Sequence, residues 1–323
     1  MQAYGIRTAN GQMVVELMDR AAPVLSPTQM RIQMHAASLN RGEFISGHGL
    51  HSSSTTALPV GMEGAGTVIE IGNQVQKFAI GDRVMGRCPG AFASQAVMEE
   101  REAMPIPKTL SWYEAAAVPL TFLTAYDAVC EQGQIKSSEW VLINGVTSGV
   151  GVAALQIATA LGAYVIGTSG SSEKLIKLQE HGLRHALDTR ANFFESVMQL
   201  APQGVNLAVN TVGGSVFAQE IDCLGFQGRL AMVGYVDGKL QACIDLQALH
   251  AKRLRLFGVS NKLRNPIQKA ASIPGFMRDI WPLIDIGLIR PLVDQIYPFA
   301  SLAQAKEHML ANKHVGKVVL SIA

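Results

Sequence analysis

Apolar and polar residues alternate in two different rhythms along this chain. From residue 1 to about 121, apolar stretches are short and cut by turn residues. Leu58-Pro59-Val60-Gly61-Met62-Glu63-Gly64-Ala65-Gly66 and Gly81-Asp82-Arg83-Val84 belong to this β-rich, turn-rich half. From Thr121 onward, strand-like runs take turns with helical segments. Strands are predicted at 140–144, 164–168, 186–188, 207–210, 229–233 and 254–259. Helices are predicted at 152–161, 173–181, 192–200 and 216–224. Such alternation implies a right-handed, doubly wound parallel sheet. Past about 262 the pattern predicts a long helix near 280–289, then Tyr297-Pro298-Phe299, another helix and a terminal strand at 317–320. The fold class is therefore α/β, with segments 1–121, 122–261 and 262–323.

The junction of the first strand and its helix carries candidate chemistry. Trp140-Val141-Leu142-Ile143-Asn144 is an apolar run of the kind that is buried on both faces of a parallel sheet. Gly145, Gly149 and Gly151 follow, and they let the backbone turn tightly and approach a diphosphate. The helix behind them presents free N–H groups and a positive dipole end to that anion. Thr147, Ser148, Gly149 and Val150 are the candidate contacts. The spacing is G-x-x-x-G-x-G rather than G-x-G-x-x-G, so its strand–turn–helix setting carries the assignment. After the second strand the chain reads Gly167-Thr168-Ser169-Gly170-Ser171-Ser172, with no carboxylate before Glu173. A carboxylate there would bind a ribose 2′-hydroxyl and repel a 2′-phosphate. Small hydroxylated residues, Gly170 and Lys174 instead favour NADPH over NADH. Gly234, Tyr235, Val259 and Ser260 follow later strand ends, on the side where the nicotinamide is expected.

Composition narrows the class of protein. Charged residues make up 16 % of the 323, hydrophobic ones 48 %, and the net charge is +2. No basic run or aromatic-interleaved patch suggests a nucleic-acid partner. No window of 18 apolar residues suggests a membrane span. The N-terminus lacks a secretory pattern, and the four cysteines are scattered singly, as in a reduced, cytoplasmic protein.

In this order and spacing, the residues resemble the medium-chain dehydrogenase/reductase superfamily and, within it, the zinc-free quinone oxidoreductase branch that includes zeta-crystallin. The landmarks are Ala37-Ser38-Leu39-Asn40, the 58–66 run, Gly81-Asp82-Arg83-Val84 and Leu123-Thr124-Ala125-Tyr126. The glycine turn, Gly228-Arg229-Leu230 with Gly234, and Gly316-Lys317-Val318-Val319-Leu320 complete the set. The resemblance implies a GroES-like, β-rich catalytic domain formed by both chain ends, with a Rossmann domain inserted. It also implies a homodimer joined through Rossmann sheet edges, here 253–260. Thr124 is placed beside the nicotinamide ring and Asn40 near the nicotinamide, within reach of substrate or ribose. Thr189 stands where relatives often carry Tyr or His near the 2′-phosphate, and the neighbouring Arg190 is a possible substitute. Zinc-dependent relatives have Gly-His-Glu where this chain has Gly61-Met62-Glu63, and a cysteine near Asn40, so no metal is expected.

Without a Lewis acid, hydride transfer suits an already activated acceptor. The leading expectation is NADPH-dependent reduction of a quinone or related enone. Some relatives carry a tyrosine at the position of Ile45, and its loss leaves His48 as the candidate proton donor beside Asn40. An enoyl-thioester reductase and a non-catalytic NADPH-binding structural protein remain open alternatives.

Overall fold

The computed structural model describes residues 1–9, 12–44, 57–189 and 193–322. His48 and Arg190 lie outside them. The chain divides into two compact units. One comprises Met1–Leu120, Lys262–Gly287 and Pro291–Ala323, the other Thr121–Asn261 and Leu288–Arg290.

The first unit begins with β1 (Gln2–Ala9), β2 (Gln12–Asp19), β3 (Gln29–Ser38), β4 (Leu58–Pro59), β5 (Glu63–Ile71), β6 (Arg83–Arg87), β7 (Gln95–Glu99) and β8 (Ala103–Pro105). The helix α1 (Trp112–Ala116) follows, started by a reciprocal capping box between Ser111 and Glu114. β3 shows why this half is a sheet: Gln29, Arg31 and Gln33 alternate with Met30, Ile32 and Met34, and the latter three have no exposed surface. Burying each of those side chains contributes about 1.5–3 kcal/mol.

The second unit opens within α2 (Pro119–Tyr126) and continues through β9 (Trp140–Asn144), α3 (Gly149–Ala160), β10 (Tyr164–Ser169), α4 (Ser172–Gln179), β11 (His185–Asp188) and α5 (Phe193–Leu200). β12 (Val205–Asn210), α6 (Gly214–Cys223), β13 (Leu224–Met232), α7 (Leu246–Ala251) and β14 (Arg255–Gly258) complete it. Its sheet is parallel throughout, in the order β11-β10-β9-β12-β13-β14. The strand order reverses about β9, which opens a crevice at the carboxyl ends of β9 and β12 where doubly wound sheets bind ligands. β11 and β14 are its two edge strands. The helix α3 starts at Gly149 rather than 152, because Ser148 caps it by accepting a hydrogen bond from the Gly151 N–H.

The return segment holds α8 (Pro266–Ala270), α9 (Ser272–Asp279), α10 (Trp281–Asp285), β15 (Val293–Pro298), α11 (Leu302–Leu310) and β16 (Lys317–Ser321). The long helix expected near 280–289 is instead the single short turn of α10, preceded by α9. Pro282 belongs in a first helical turn, and Gly287 at φ +76° ends the segment in a left-handed conformation. β16 pairs with β3 through Val319 and Ser38, so the two chain ends share one seven-stranded sheet. Among the described residues, no helix is long and apolar enough to cross a membrane.

Candidate active site

In the second unit the glycine turn sits at the carboxyl end of β9. Gly145 has φ +77°, and a Cβ there would run into the Thr211 hydroxyl. A Cβ on Gly151 would run into the Gly145 carbonyl oxygen, so α3 packs against the turn at a distance only glycine permits. Ser148 is used by the turn itself: its hydroxyl donates to the Gly145 carbonyl at 2.8 Å and accepts from the Gly151 N–H at 3.1 Å. Among the described residues, the amides of Thr147, Gly149 and Val150 have no acceptor, which leaves an anion cradle at the start of α3.

A buried polar network holds this cradle from beneath. Glu220 on α6 is fully buried, and its two oxygens accept amide hydrogens from Asn144 at the end of β9 and Asn210 at the end of β12, both at 2.6 Å. Asn144 accepts the Thr168 hydroxyl of β10. The side-chain carbonyl of Asn210 accepts the backbone N–H groups of Val212 at 2.9 Å and Gly213 at 2.8 Å. One carboxyl group thus ties together three strand ends around the crevice. Burial pushes the Glu220 carboxyl up to about 8, against the pull of the two amide donors.

At the end of β10, the Ser169-Gly170-Ser171 turn carries no acid. Thr147 and Ser169 hydroxyls lie 3.4 Å apart, and the Thr189 hydroxyl faces Gly170. Ser171 caps α4 by accepting the Lys174 N–H, and Lys174 is only 8 % exposed in the first turn. One carboxylate escaped the linear reading: Asp188, opposite Ser169 on the neighbouring β11, accepts the Ser172 hydroxyl at 3.1 Å. Gly234 lies past β13, its N–H donated to the Asn210 carbonyl at 3.2 Å. Tyr235 is exposed beside it. Val259, buried, and Ser260, exposed, follow β14, while Thr124 is half-buried on α2.

The first unit holds a second polar cluster, around Asn40. Glu63 has no exposed surface, and its Oε1 accepts from Ser38 at 2.6 Å, Asn40 at 2.9 Å and the Lys317 ammonium at 2.9 Å. Its Oε2 accepts the Leu120 N–H at 2.7 Å. Lys317 also donates to the Leu39 carbonyl and to Asn40 Oδ1, both at 2.8 Å. Asn40 donates its backbone N–H to Glu43 at 3.0 Å, so both ends of its side-chain amide and its backbone serve the cluster. Burial pushes Glu43 up to about 8, opposed by the Asn40 N–H and the nearby Lys317 charge. The cation here is an ammonium already ringed by three oxygens. With Met62, the residue before Glu63, in place of an imidazole, the donor set does not fit a catalytic zinc. Among the described residues, no three His, Cys, Asp or Glu side chains form a group able to hold a metal.

Asn144 and Asn210 each close an apolar strand run, a polar residue at a strand's carboxyl end, and that was the available signal for the Glu220 network. Glu220 itself gave none. Glu63 and Lys317 both lie within recognised landmarks, but 254 residues separate them and nothing local pairs them.

A parallel sheet in this order, with a glycine cradle at its switch point and a β-rich companion unit, defines the scaffold of a nicotinamide-dinucleotide oxidoreductase. Residues 149–273 match the zinc-binding dehydrogenase family, and residues 26–108 match the alcohol dehydrogenase GroES-like domain. The chain belongs to the medium-chain dehydrogenase/reductase superfamily. It is 31 % identical over 297 residues to a phenolphthiocerol/phthiocerol polyketide synthase of Mycobacterium tuberculosis, covering 91 % of this chain but only 14 % of that synthase. It is 28 % identical over 304 residues to quinone oxidoreductase-like protein 2 of Mus musculus, covering 92 % of this chain and 86 % of the relative. Among solved structures, an NAD-dependent alcohol dehydrogenase superposes with TM-score 0.86 at 28 % identity, and the CurK enoyl reductase with 0.83 at 26 %. The mycobacterial Rv1454c complexed with NADPH superposes with 0.88 at 25 %. Each of the three covers the whole of both chains.

Proposed function

We propose that this protein is an NADPH-dependent, zinc-independent oxidoreductase that transfers hydride to a quinone or a related enone. The acid-free end of β10 carries the coenzyme assignment. Its Ser169-Gly170-Ser171 turn, faced by Thr189, leaves room for a 2′-phosphate, with Lys174 following in the first turn of α4. The Asp188 carboxylate belongs to the next strand, β11, where it accepts the Ser172 hydroxyl. The coenzyme, when bound, supplies the hydride. The chain's own part is to bind the diphosphate with the amides of Thr147, Gly149 and Val150 and to keep the crevice rigid through Glu220. Asn40 helps by holding Lys317 and both buried glutamates in one arrangement. Likeness to quinone oxidoreductase-like protein 2 supports the acceptor class. We further propose a homodimer joined through the β14 edge, with a monomer in light scattering as the contrary result.

A second reading, an enoyl-thioester reductase, is favoured by likeness to a polyketide synthase segment and to the CurK enoyl reductase. NADPH oxidation against 9,10-phenanthrenequinone, 1,4-naphthoquinone, an enone and crotonyl-CoA, with NADH in parallel, separates the two. Turnover of quinone or enone with NADPH is the predicted result. Turnover of crotonyl-CoA alone selects the reductase, and tight NADPH binding without turnover points to a structural protein.

A further inference from the structure

The β-rich unit contains a cavity of about 1080 Å³, larger than most drug-sized ligand sites. None of its lining residues belongs to the glycine cradle, the acid-free turn or the Asn40 cluster. It opens between the 77–83 turn, the 100–108 segment and the helices α8 and α9. Its walls are apolar: Phe78 and Ile106 on one side, Ile267, Ile273, Pro274 and Met277 on the other. Ile267 stands 68 % exposed at its rim.

The charges around this cavity are unequal. Lys77, Arg83, Arg101 and Lys108 line it against two acids, Asp82 and Glu100. Both acids are already engaged. Asp82 accepts the Ala79 N–H at 2.8 Å, and Glu100 accepts the N–H groups of Gln76 and Lys77. Among the described residues, neither the Lys77 nor the Lys108 ammonium has an ion-pair partner. Arg83 lies over the Trp112 ring at 4.4 Å and donates to the Leu110 carbonyl, yet its buried Nε has no acceptor. An apolar groove lined by four cations, of which Arg101 is paired with Glu99, and two acids is complementary to a molecule with an apolar body and one anionic head.

We propose that this cavity is a second ligand site, separate from the coenzyme crevice, for an amphipathic carboxylate, with Lys77 and Lys108 meeting the head group and the α8–α9 face taking the chain. The probe is octanoate, with 1-octanol as its uncharged counterpart and acetate as the head group without a chain. Calorimetric titration should show saturable octanoate binding at one site, at least about tenfold weaker binding of octanol, and none of acetate. The double substitution Lys77→Gln/Lys108→Gln should weaken octanoate about tenfold and leave octanol unchanged. Ala271→Trp, at an exposed lining position, should abolish both, while an unchanged melting temperature without ligand shows that the fold survives. Octanoate that fails to bind, or that binds Ala271→Trp as well as wild type, overturns the proposal. Equal binding of octanol and octanoate overturns the assigned role of the lysines.

Discussion

Replacing Glu220 probes whether one buried carboxyl group organises the coenzyme crevice. In Glu220→Ala, the side-chain amides of Asn144 and Asn210 each lose a hydrogen-bond partner at positions with no exposure to water. Each unsatisfied group costs about 1–3 kcal/mol, so the pair costs about 2–6 kcal/mol, before any cavity penalty. Glu220→Gln is predicted to behave differently. Its new NH₂ group must face one of the two asparagines, and Asn210 cannot reverse, because its carbonyl is held by the Val212 and Gly213 N–H groups. Asn144 can, since its other side-chain partner among the described residues is the Thr168 hydroxyl, which can accept as well as donate. Gln therefore mimics the protonated acid and should cost only about 1 kcal/mol. The pH dependence separates the variants further. Burial raises the Glu220 carboxyl from its ordinary 4.5 to about 8, so between those values the folded chain keeps a proton that the unfolded chain has lost. Stability contributed by this group accordingly falls as pH rises through that window, by up to about 1.4 kcal/mol per pH unit. Thermal and guanidinium unfolding from pH 5 to 8 should show Glu220→Ala destabilised by several degrees and Glu220→Gln with a shallower pH slope than wild type. An alanine variant melting within about one degree of wild type, or a glutamine variant with the wild-type slope, refutes the reasoning.

Three further substitutions test other parts of the account. Lys174→Ala should raise the KM for NADPH about tenfold and leave NADH unchanged; equal values for both proteins remove Lys174 from the 2′-phosphate site. Lys317→Met leaves Glu63 buried without its counter-ion and should destabilise by about 3–5 kcal/mol. The double variant Glu63→Gln/Lys317→Met should recover part of that loss in denaturant titration, and no recovery would contradict the pairing. Gly145→Ala places a Cβ against the Thr211 hydroxyl at a left-handed φ, so coenzyme binding measured by fluorescence should be lost or weakened at least tenfold.

The fold was legible wherever burial writes a continuous signal. Strands such as β9 and β12 are apolar almost throughout because helices cover both faces of a parallel sheet, and their parallel arrangement could then be inferred from the helices between them. Boundaries failed where a single backbone feature decides. Ser148 draws Gly149–Gly151 into α3, and Pro282 with Gly287 cuts a convincing apolar period to five residues. The crevice itself was visible as glycines and a missing acid, both local facts. Its supports were not: Glu220 reaches Asn144 across 76 positions, and Lys317 reaches Glu63 across 254. Asn40 illustrates the same limit. Its place within a landmark suggested contact with ligand, but its hydrogen bonds to Glu63, Glu43 and Lys317 could not be read from that place.

The central claim is that an uncharged turn after β10, backed by Lys174, selects the phosphorylated coenzyme. Parallel calorimetric titration of the wild-type protein with NADPH and with NADH tests it most directly. NADPH binding at least about tenfold tighter, with the margin lost in Lys174→Ala, is the predicted result. NADH bound as tightly as NADPH, or more so, would contradict it.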